Sequence, residues 1–400
     1  MLTNKHILLG ITGSIAAYKS AELARLLIKK GARVTVVMTQ GAKEFITPLT
    51  FATLTGQPVA DQLWLNRDAA SSNIAHINLT READALIIAP CTANVAAKIA
   101  QGLADDLLTN LALARDQSRC ALAIAPAMNV EMWRNRATVR NMAQLAQDGV
   151  SIFGPASGDQ ACGEFGDGRM LEPQDCLTLI EALMTPKVLQ GQHVLITAGP
   201  TFEAIDPVRG ITNRSSGKMG YALATAAAAA GAHVTLIAGP TALDNPINVH
   251  TIKVESAAQM LQACLHHAQQ ASVFIGVAAV ADWRVSDIAP HKIKKQHAQD
   301  VPTLQFEQTA DILHTIAQQE KPPYCVGFAA ETENLLEFAQ AKRLKKGIPL
   351  LIANHGPSTF GADDNQVTLI DDTGSHALAQ QPKHKLAAIL IQEIAKRLPA

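Results

Sequence analysis

Short runs of apolar residues alternate with amphipathic stretches along this chain, a pattern typical of buried parallel strands joined by helices. The first forty residues predict a strand over 6–11, a turn at 12–14, a helix ending at Lys30 with Gly31 as its C-cap, and a strand over 33–38. Further apolar runs predict strands at 85–89, 121–125 and 150–153. The first half is therefore predicted to be a doubly wound α/β domain.

The same pattern starts again in the second half. A strand is predicted over 193–197, a helix over 219–230 and a returning strand over 233–237, and the alanines of 226–230 predict a close-packed helix face. Later apolar runs predict parallel strands at 273–278, 325–329 and 350–353, and the alternating segment 366–370 predicts an antiparallel strand at the sheet edge. These elements predict a second, Rossmann-like α/β domain.

A chain of 400 residues is long enough for two such domains, each with its own core. Hydrophobic residues make up 48% of the chain and aromatic residues only 4%, so small aliphatic side chains must fill those cores. The segment 185–192 follows an amphipathic helix and contains proline and glycine, which favours a boundary there. We predict a first domain over 1–186, a linker over 187–192 and a second domain over 193–400.

The charge balance excludes several classes of partner. Lys and Arg number 34 and Asp and Glu 35, so no net field attracts nucleic acid or a membrane surface, and local clusters must bind any anion. The six cysteines include no C-x-x-C pair and no metal-ligand spacing, which indicates reduced thiols. No basic leader precedes the first strand and no apolar run reaches transmembrane length, so we expect a cytoplasmic protein.

Two loops of the first half follow predicted strands, at the edge where open α/β sheets bind ligands. Thr12-Gly13-Ser14 leads from the first strand into a helix, and free N–H groups at a helix start attract anions such as phosphate. By itself this turn is also compatible with an ordinary capped helix start. The segment 90–94 joins a strand to a helix in the same way, so we expect both loops to converge on one crevice.

A third loop of the first half contains the residue best suited to proton transfer. Cys162 lies among the four glycines of 158–168, a composition unsuited to a packed core and typical of a lid over a ligand. A thiol in such a lid can donate a proton. His76 lies between apolar residues and, taken alone, is more typical of a structural histidine.

Basic residues of the second half predict a site for a polyphosphate. Neither Gly-x-Gly-x-x-Gly nor the P-loop pattern is present, and Ser216 alone would fit as a helix N-cap. Residues 292–295 follow a buried strand, where a ligand crevice should open, and several cations in a crevice suit a triphosphate. The four basic groups are Arg209, Arg214 with Lys218, 292–295, and Lys342 with Lys346.

Four motifs of the first half occur together in one known family. They are Thr12-Gly13-Ser14, His76, Pro126-Ala-Met-Asn129 and Ala161-Cys162-Gly163. On these residues the first half resembles the flavin-dependent cysteine decarboxylases that act on phosphopantothenoylcysteine, which implies a flavodoxin-like sheet. The resemblance implies FMN, held by Gly13, Ser14, Thr39, Thr92, Asn94 and Met128. It also implies that His76 is a base assisting thiol oxidation, Asn129 holds the substrate carboxylate and Cys162 protonates the ene-thiolate left by CO₂ loss.

The second half carries the motifs of another family in the same order. They are Asp206-Pro-Val-Arg209, Asn213, Ser215-Ser-Gly-Lys-Met-Gly220, Ala278-Ala-Val-Ala-Asp282, Lys292-Ile-Lys-Lys295, Gly327-Phe328-Ala-Ala-Glu-Thr332, Lys342 with Lys346, and Asn354. Over about 190–375 the chain resembles phosphopantothenate–cysteine ligases. The resemblance implies CTP with Mg²⁺, and places these residues around the nucleotide: Gly276, Val277, Ala278, Asp282, Lys292, Thr309, Ala310, Asp311, Ile312, Phe328, Lys342 and Lys346. It implies substrate contacts from Asn213 and Arg209 and charge stabilisation by Lys292, and it identifies no metal ligand.

Together the two halves resemble the bifunctional coenzyme A biosynthesis enzymes of bacteria. The resemblance implies that the chain joins L-cysteine to 4′-phosphopantothenate through an acyl-cytidylate and decarboxylates the product to 4′-phosphopantetheine. It also implies self-association through trimeric contacts of the first half and dimeric contacts of the second, which would be compatible with a dodecamer. Several positions depart from the ligase pattern: Gly210 stands for an aromatic residue, Arg214 for His, Trp283 for Tyr, and Thr309-Ala310 for Asn-Pro.

Three other functions share part of this pattern. A non-catalytic flavoprotein regulator would keep the first fold, but His76, Asn129 and Cys162 are all present. A flavin prenyltransferase would explain neither the Cys162 loop nor the second half. An NAD-dependent oxidoreductase with two Rossmann domains would need the glycine fingerprint and an acidic ribose ligand at the matching spacing.

Overall fold

The computed structural model describes residues 2–61, 75–294, 302–331, 333–355 and 361–399, and only the backbone of 75–78. The chain divides into two compact units, Met1–Thr185 and Pro186–Ala400. Within the described residues, no helix is long and apolar enough to cross a membrane.

The first unit is built on a sheet of five parallel strands in the order β2-β1-β3-β4-β5. This is a flavodoxin-like doubly wound order, which confirms the predicted fold class. Strands β6 and β7 form a separate antiparallel hairpin. The elements are β1 His6–Ile11, α1 Ala17–Lys29, β2 Arg33–Met38, α2 Gln40–Lys43, α3 Pro48–Thr55, α4 Ala75–Glu82, β3 Ala85–Cys91, α5 Ala93–Ala100, α6 Leu107–Ala114, β4 Ala121–Pro126, α7 Val130–Arg134, α8 Arg136–Gln147, β5 Ser151–Ile152, β6 Ala156–Asp159, β7 Phe165–Arg169 and α9 Pro173–Leu183.

Helices cover both faces of this sheet, because successive residues of a strand point to opposite sides. Ile7 and Leu9 of β1 belong to one buried cluster, together with side chains of α1 and α9. Leu8 belongs to the other cluster, together with side chains of α5, α6 and α8. Strands buried on both faces carry continuous apolar runs, which is why the sequence located them.

The first helix begins later than the sequence predicts. Helix α1 starts at Ala17, and the chain before it forms a turn in which the backbone N–H of Ala17 donates to the carbonyl of Ser14 at 2.9 Å. The C-cap is Lys30 rather than Gly31. Gly31 follows with φ +86°, a left-handed conformation that glycine adopts without strain.

The second unit has an eight-stranded sheet in the order β12-β11-β8-β13-β16-β17-β19-β20. Its first six strands are parallel in the Rossmann order, which confirms the predicted class. The elements are β8 His193–Ala198, β9 Phe202–Ala204, β10 Gly210–Thr212, α10 Lys218–Ala229, β11 His233–Ala238, β12 His250–Lys253, α11 Ala257–Ala268, β13 Val273–Gly276, β14 Trp283–Val285, β15 Phe306–Gln308, α12 Ile312–Ala317, β16 Tyr324–Glu331, α13 Leu335–Lys346, β17 Leu350–His355, β18 Asp364–Asn365, β19 Thr368–Asp371, β20 Gly374–Ala377, β21 Gln381–Pro382 and α14 Lys383–Arg397.

The predicted antiparallel edge of this sheet is confirmed, and it is one strand wider than the sequence indicated. Strand β19 pairs antiparallel with β17 as expected, but β20 lies outside it and forms the edge. All four residues of β20 are exposed, so this strand has no alternation of apolar and polar residues that a sequence could reveal.

The segment that we predicted as a linker packs on the second unit. Leu189 is buried in the core beneath α10, and its backbone N–H donates to the carbonyl of Ala230 at 2.9 Å. The alanine face of α10 lies in the same core: Ala226, Ala227 and Ala230 are buried, as predicted.

Candidate active sites

Three loops meet at the carboxyl ends of the neighbouring strands β2, β1 and β3. The buried Thr12 joins two of them, because its Oγ1 donates to the carbonyl of Pro90 (2.8 Å) and accepts from the backbone N–H of Thr92 (3.1 Å). The strand order reverses between β1 and β3, and ligands bind in the crevice at such a switch point. Four of the residues predicted to hold FMN lie in these loops, and a fifth, Asn94, lies in the first turn of α5: Gly13, Ser14, Thr39, Thr92 and Asn94.

At Gly13 these loops have room for backbone but not for a side chain. Such close backbone packing suits a site where backbone N–H groups bind an anion. A Cβ on Gly13 would lie 2.9 Å from the backbone of Gly41, so only glycine fits there. Helix α5 begins at the same edge with Thr92 as its N-cap, whose Oγ1 accepts from the backbone N–H of Val95 at 3.4 Å. A helix start at this position favours a phosphate.

We expect Thr12→Val to lower the free energy of unfolding by about 2 kcal/mol, because it leaves the buried groups of Pro90 and Thr92 without their partner. Urea unfolding of the whole chain, followed by circular dichroism, measures the change. Thr12→Ser is the matched control and should unfold like the parent. Equal midpoints for the parent and the valine variant would contradict the bridging role.

The predicted lid is the hairpin β6–β7, and it packs against the loop that carries Asn129. The backbone N–H of Met128 donates to the carbonyl of Gly168 at 2.9 Å, and any Cβ on Gly168 would collide with the carbonyl of Met128. Gln160 adds a second link, since its Oε1 accepts from the backbone N–H of Val130 at 2.9 Å. The structure therefore brings the Cys162 loop and the Asn129 loop together.

Asn129 is held by its own helix. Its Oδ1 accepts from the backbone N–H of Met132 at 2.9 Å and caps α7. This bond fixes the amide and leaves the two Nδ2 hydrogens as the donors that the side chain can offer a ligand. An amide that donates in this way suits a carboxylate.

Cys162 differs from the other five cysteines in being exposed. Its Sγ donates to Oε2 of Glu164 at 3.2 Å. Burial raises the pKa of Cys91, Cys176, Cys264 and Cys325 to about 12. Of the six thiols, Cys162 is therefore the one available for proton transfer with a ligand.

His76, the predicted base, belongs to α4, but its side chain lies outside the described residues. Lys295 of the second half also lies outside them.

The second unit contains a cleft of about 840 Å³. The cleft brings together twelve residues predicted from sequence: Asn213, Gly276, Val277, Ala278, Asp282, Thr309, Ala310, Asp311, Ile312, Phe328, Lys342 and Lys346. Arg214 and Lys218, one of the basic groups predicted to bind a polyphosphate, also line the cleft, and so do Lys345, Asn365 and Lys383, which the sequence did not single out.

Side-chain hydrogen bonds shape one wall of this cleft. Oγ1 of Thr197 accepts from the backbone N–H groups of Val277 (3.1 Å) and Ala278 (3.2 Å). Nδ2 of Asn213 donates to the carbonyl of Ala279 at 2.9 Å. The segment after β13 is thus fixed from two sides, which holds Asn213 against the predicted nucleotide residues.

Lysines of α13 face carboxylates at the cleft. Nζ of Lys346 donates to both carboxylate oxygens of Asp311 at 2.8 Å, and Nζ of Lys342 lies 3.6 Å from Oε1 of Glu331. The pKa of the Asp311 carboxyl lies below its usual value. Burial by itself would raise this pKa, but the hydrogen bonds from Lys346 and from the backbone lower it by more. These pairs hold two ammonium groups beside the cleft, where a polyphosphate can bind them.

Arg209 and Lys292 are not among the residues that line the cleft in the described structure. Arg209 is instead held by Asp206: its Nε lies 3.1 Å from Oδ2 of Asp206, and its Nη2 donates to the carbonyl of Ile293 at 2.7 Å. The backbone N–H of Ile293 also donates to Oδ2 of Asp206 at 3.1 Å. Arg209 thus secures the Lys292 segment, and its contact with substrate stays a prediction.

The buried carboxylate of Asp206 should make stability depend on pH. Burial alone would raise its pKa, but bonds from the backbone N–H groups of Val208, Ile293 and Arg209 outweigh it, and the pKa is lowered. A lowered pKa stabilises the fold above the unfolded value of about 3.9, and this stability is lost as the pH falls through the folded value.

We therefore expect Asp206→Asn to be less stable than the parent at pH 7, with a difference that shrinks at pH 3.5. Urea unfolding of both proteins at the two pH values, followed by circular dichroism, measures this. Asp287→Asn, which removes an exposed carboxylate of the same unit, is the control. A difference that is constant with pH would contradict the assignment.

Two family models cover almost the whole chain. The model named Flavoprotein matches residues 1–185, and that of the DNA/pantothenate metabolism flavoprotein C-terminal domain matches 189–398. The coenzyme A biosynthesis bifunctional protein CoaBC of Vibrio parahaemolyticus is 48% identical over 397 residues, which are 98% of each chain. That of Escherichia coli strain K12 is 44% identical over 402 residues, covering 99% of this chain and 98% of the relative. The chain belongs to the CoaBC family.

Membership of the CoaBC family confirms the predicted function. The chain is a bifunctional enzyme of coenzyme A biosynthesis with decarboxylase and ligase activities, and its first half is a flavoprotein.

Two solved structures resemble single halves of this CoaBC-family chain. The C-terminal domain of a coenzyme A biosynthesis bifunctional protein CoaBC is 40% identical with a TM-score of 0.46, and covers 53% of this chain and 98% of that one. A PPC decarboxylase mutant complexed with pantothenoylaminoethenethiol is 33% identical with a TM-score of 0.40, and covers 45% of this chain and 98% of that one.

One departure from the CoaBC ligase pattern has a structural explanation. A Cβ on Gly210 would collide with the ring of Phe202, which lies across the β9–β10 pair. The ring of Phe202 thus occupies the space that a side chain at position 210 would need. Nothing in the structure explains the departures at Arg214, Trp283 and Ala310.

For two residues that organise the CoaBC sites, Asp206 and Gln160, the sequence predicted no structural role. Asp206 precedes a proline, which is a turn signal, but its link to Ile293 spans 87 positions. Gln160 has no sequence signal beyond its place among the lid glycines. In the part of the chain that the structure describes, no three His, Cys, Asp or Glu side chains are placed to hold a metal ion.

Proposed function

We propose that the second unit joins L-cysteine to 4′-phosphopantothenate at the expense of CTP, and that the first unit decarboxylates the resulting 4′-phosphopantothenoylcysteine with FMN. The ligase product is then the decarboxylase substrate, and the final product is 4′-phosphopantetheine. One observation carries the proposal: the hairpin bearing the exposed Cys162 is bonded to the loop bearing Asn129, beside a crevice of flavodoxin-like geometry.

The residues of the first unit fit FMN. The loops after β1, β2 and β3 would hold it through Gly13, Ser14, Thr39, Thr92 and Asn94, with Met128 on the loop under the hairpin. The close approach of Gly13 to Gly41 and the start of α5 support a phosphate at this edge. Bound FMN would supply the reversible two-electron oxidation of the substrate thiol.

The chain's own residues would bind and protonate the substrate. Nδ2 of Asn129 would donate to the carboxylate that leaves as CO₂, because Oδ1 is already committed to the helix cap. After CO₂ loss, Cys162 would donate its thiol proton to the former α-carbon. His76 keeps the predicted role of base in thiol oxidation. The hairpin would exclude water while the carbanion equivalent is present.

The ligase reaction would proceed in two steps in the 840 Å³ cleft. The carboxylate of phosphopantothenate attacks the α-phosphate of CTP, forming an acyl-cytidylate and releasing pyrophosphate. The amine of cysteine then attacks the acyl carbon, forming the amide and releasing CMP. The developing negative charge on the phosphates would be stabilised by the cleft lysines Lys342 and Lys346, and by Lys292 from the segment that Arg209 secures.

The nucleotide would lie along 276–282 and 309–312, with Phe328 at the base of the cleft and Asn213 in contact with the acyl substrate. Mg²⁺ would enter with the nucleotide, since this ion is commonly held by substrate phosphates together with few protein ligands. The choice of CTP rests on the resemblance of the motifs.

We also propose a cytoplasmic homo-oligomer. Trp283 and Phe306 of the β14–β15 pair are 59% and 55% exposed, and large exposed apolar side chains on one ribbon favour contact with a second copy of the unit. Ile15, Tyr18 and Leu49 offer similar side chains on the first unit. The trimeric and dimeric contacts implied by the resemblance would use such surfaces.

Mass spectrometry of reaction products tests the whole proposal. The purified protein is incubated with 4′-phosphopantothenate, cysteine, Mg²⁺ and either CTP or ATP. We expect phosphopantetheine and CMP with CTP only. Accumulation of phosphopantothenoylcysteine would contradict the decarboxylase assignment, and equal turnover with ATP would contradict the choice of nucleotide.

A further inference from the structure

Decarboxylation requires one proton in every turnover, because a carboxylate leaves as neutral CO₂ and a hydrogen takes its place on carbon. In the proposed function Cys162 supplies that proton, and this inference rests on that role. A thiol can donate only once before it must be protonated again. A second group must therefore return a proton to the Cys162 thiolate.

At the tip of the hairpin, the carboxyl group of Glu164 lies in position to return a proton to the Cys162 thiolate. Sγ of Cys162 donates to Oε2 of Glu164 at 3.2 Å. The second neighbour of this thiol in the described structure is Oε1 of Gln160 at 3.8 Å, which already accepts from the backbone N–H of Val130. A carboxylate exchanges protons with water, whereas an amide does not. Glu164 is therefore the neighbour of Cys162 that can carry a proton.

The backbone of the tip keeps the two side chains together. The backbone N–H of Gln160 donates to the carbonyl of Glu164 at 2.8 Å, and that of Gly163 donates to the carbonyl of Gln160 at 2.9 Å. These two bonds close the turn that contains Cys162. Glu164 is exposed, so its carboxyl group meets solvent on one side and the thiol on the other.

We propose that Glu164 is the proton relay that reprotonates Cys162 between turnovers. The S–H bond of Cys162 breaks as the C–H bond forms on the former α-carbon, leaving a thiolate. The carboxylate of Glu164 then takes a proton from water and passes it to the thiolate, which restores the thiol and the carboxylate that accepts from it. Each cycle consumes one solvent proton, which equals the requirement of the decarboxylation.

The test is Glu164→Gln in the full-length protein, supplied with phosphopantothenoylcysteine and followed by rapid quench and mass spectrometry. We expect the first turnover, about one phosphopantetheine per active site, to keep the parent rate. Steady-state turnover should fall at least about 10-fold and should recover when acetic acid is added at constant pH, because a free carboxylic acid can replace the relay. Asp167→Asn removes another exposed carboxylate of the hairpin and should behave like the parent.

Three results would overturn the relay. They are parental steady-state turnover in Glu164→Gln, equal loss of the first and later turnovers without recovery in acetic acid, or the same defect in Asp167→Asn. The second result would mean that Glu164 only supports the hairpin. A different variant tests the proposed function itself. If Cys162 is not the proton donor, Cys162→Ala will form as much product as the parent, whatever the result for Glu164→Gln.

Discussion

Cys162→Ala should lower the formation of phosphopantetheine from supplied phosphopantothenoylcysteine by at least about 100-fold, because a general acid contributes a factor of this order or more. Cys162 is the exposed thiol at the tip of the hairpin, and the buried cysteines have pKa values too high and positions too enclosed to replace it. Ligase turnover and bound flavin should stay at the parental level, since the substitution touches neither the cleft nor the loops after β1–β3.

The measurement is product formation by mass spectrometry, with ligase turnover followed as CMP release in the same preparation. Cys176→Ala removes a buried thiol from the same unit and serves as the control for loss of a sulfur atom. It should retain decarboxylation. Unchanged phosphopantetheine yield from Cys162→Ala would overturn the assignment of the proton donor.

Asn213→Ala should lower kcat/KM for amide synthesis by about 100-fold, which is the order expected when one positioned donor is removed from a reacting centre. Its Nδ2 bonds to the carbonyl of Ala279, so the substitution removes both the proposed substrate contact and a support of the cleft wall. Decarboxylation of supplied phosphopantothenoylcysteine should be unaffected, because that reaction belongs to the other unit.

The experiment compares CMP release and phosphopantetheine formation in parallel assays. Asn213→Asp keeps the size of the side chain but lacks the donor, so it should be as impaired as the alanine variant. Asn245→Ala changes an exposed asparagine outside the cleft and is the control. A defect in decarboxylation would show that the assignment of Asn213 to the ligase site is wrong.

The sheets of both units were predictable because their strands are buried on both faces. Each parallel strand of 6–11 or 193–198 is a continuous apolar run, and the loops that follow carry the polar residues. The order of strands then brings those loops to one edge. The cleft residues that follow β13, Val277, Ala278 and Asp282, lie at this edge for that reason.

The details that sequence could not supply depend on contacts between distant positions. Arg209 is predicted to touch substrate, and the sequence does not reveal that its guanidinium also binds Asp206 and the carbonyl of Ile293, 84 positions away. No local pattern distinguishes an arginine that binds a ligand from one that binds a carbonyl. The role of Gln160 was missed because its amide acts on the backbone of Val130, 30 positions away.

Because the other five cysteines are buried, Cys162 is the cysteine that a labelling reagent can reach. A thiol reagent in solution meets Cys162 at the hairpin tip, while the other thiols are enclosed in the cores of the two units. The unmodified chain thus behaves as a single-cysteine variant. A fluorophore attached there would report the position of the hairpin against Asn129 during binding, without any prior removal of cysteines.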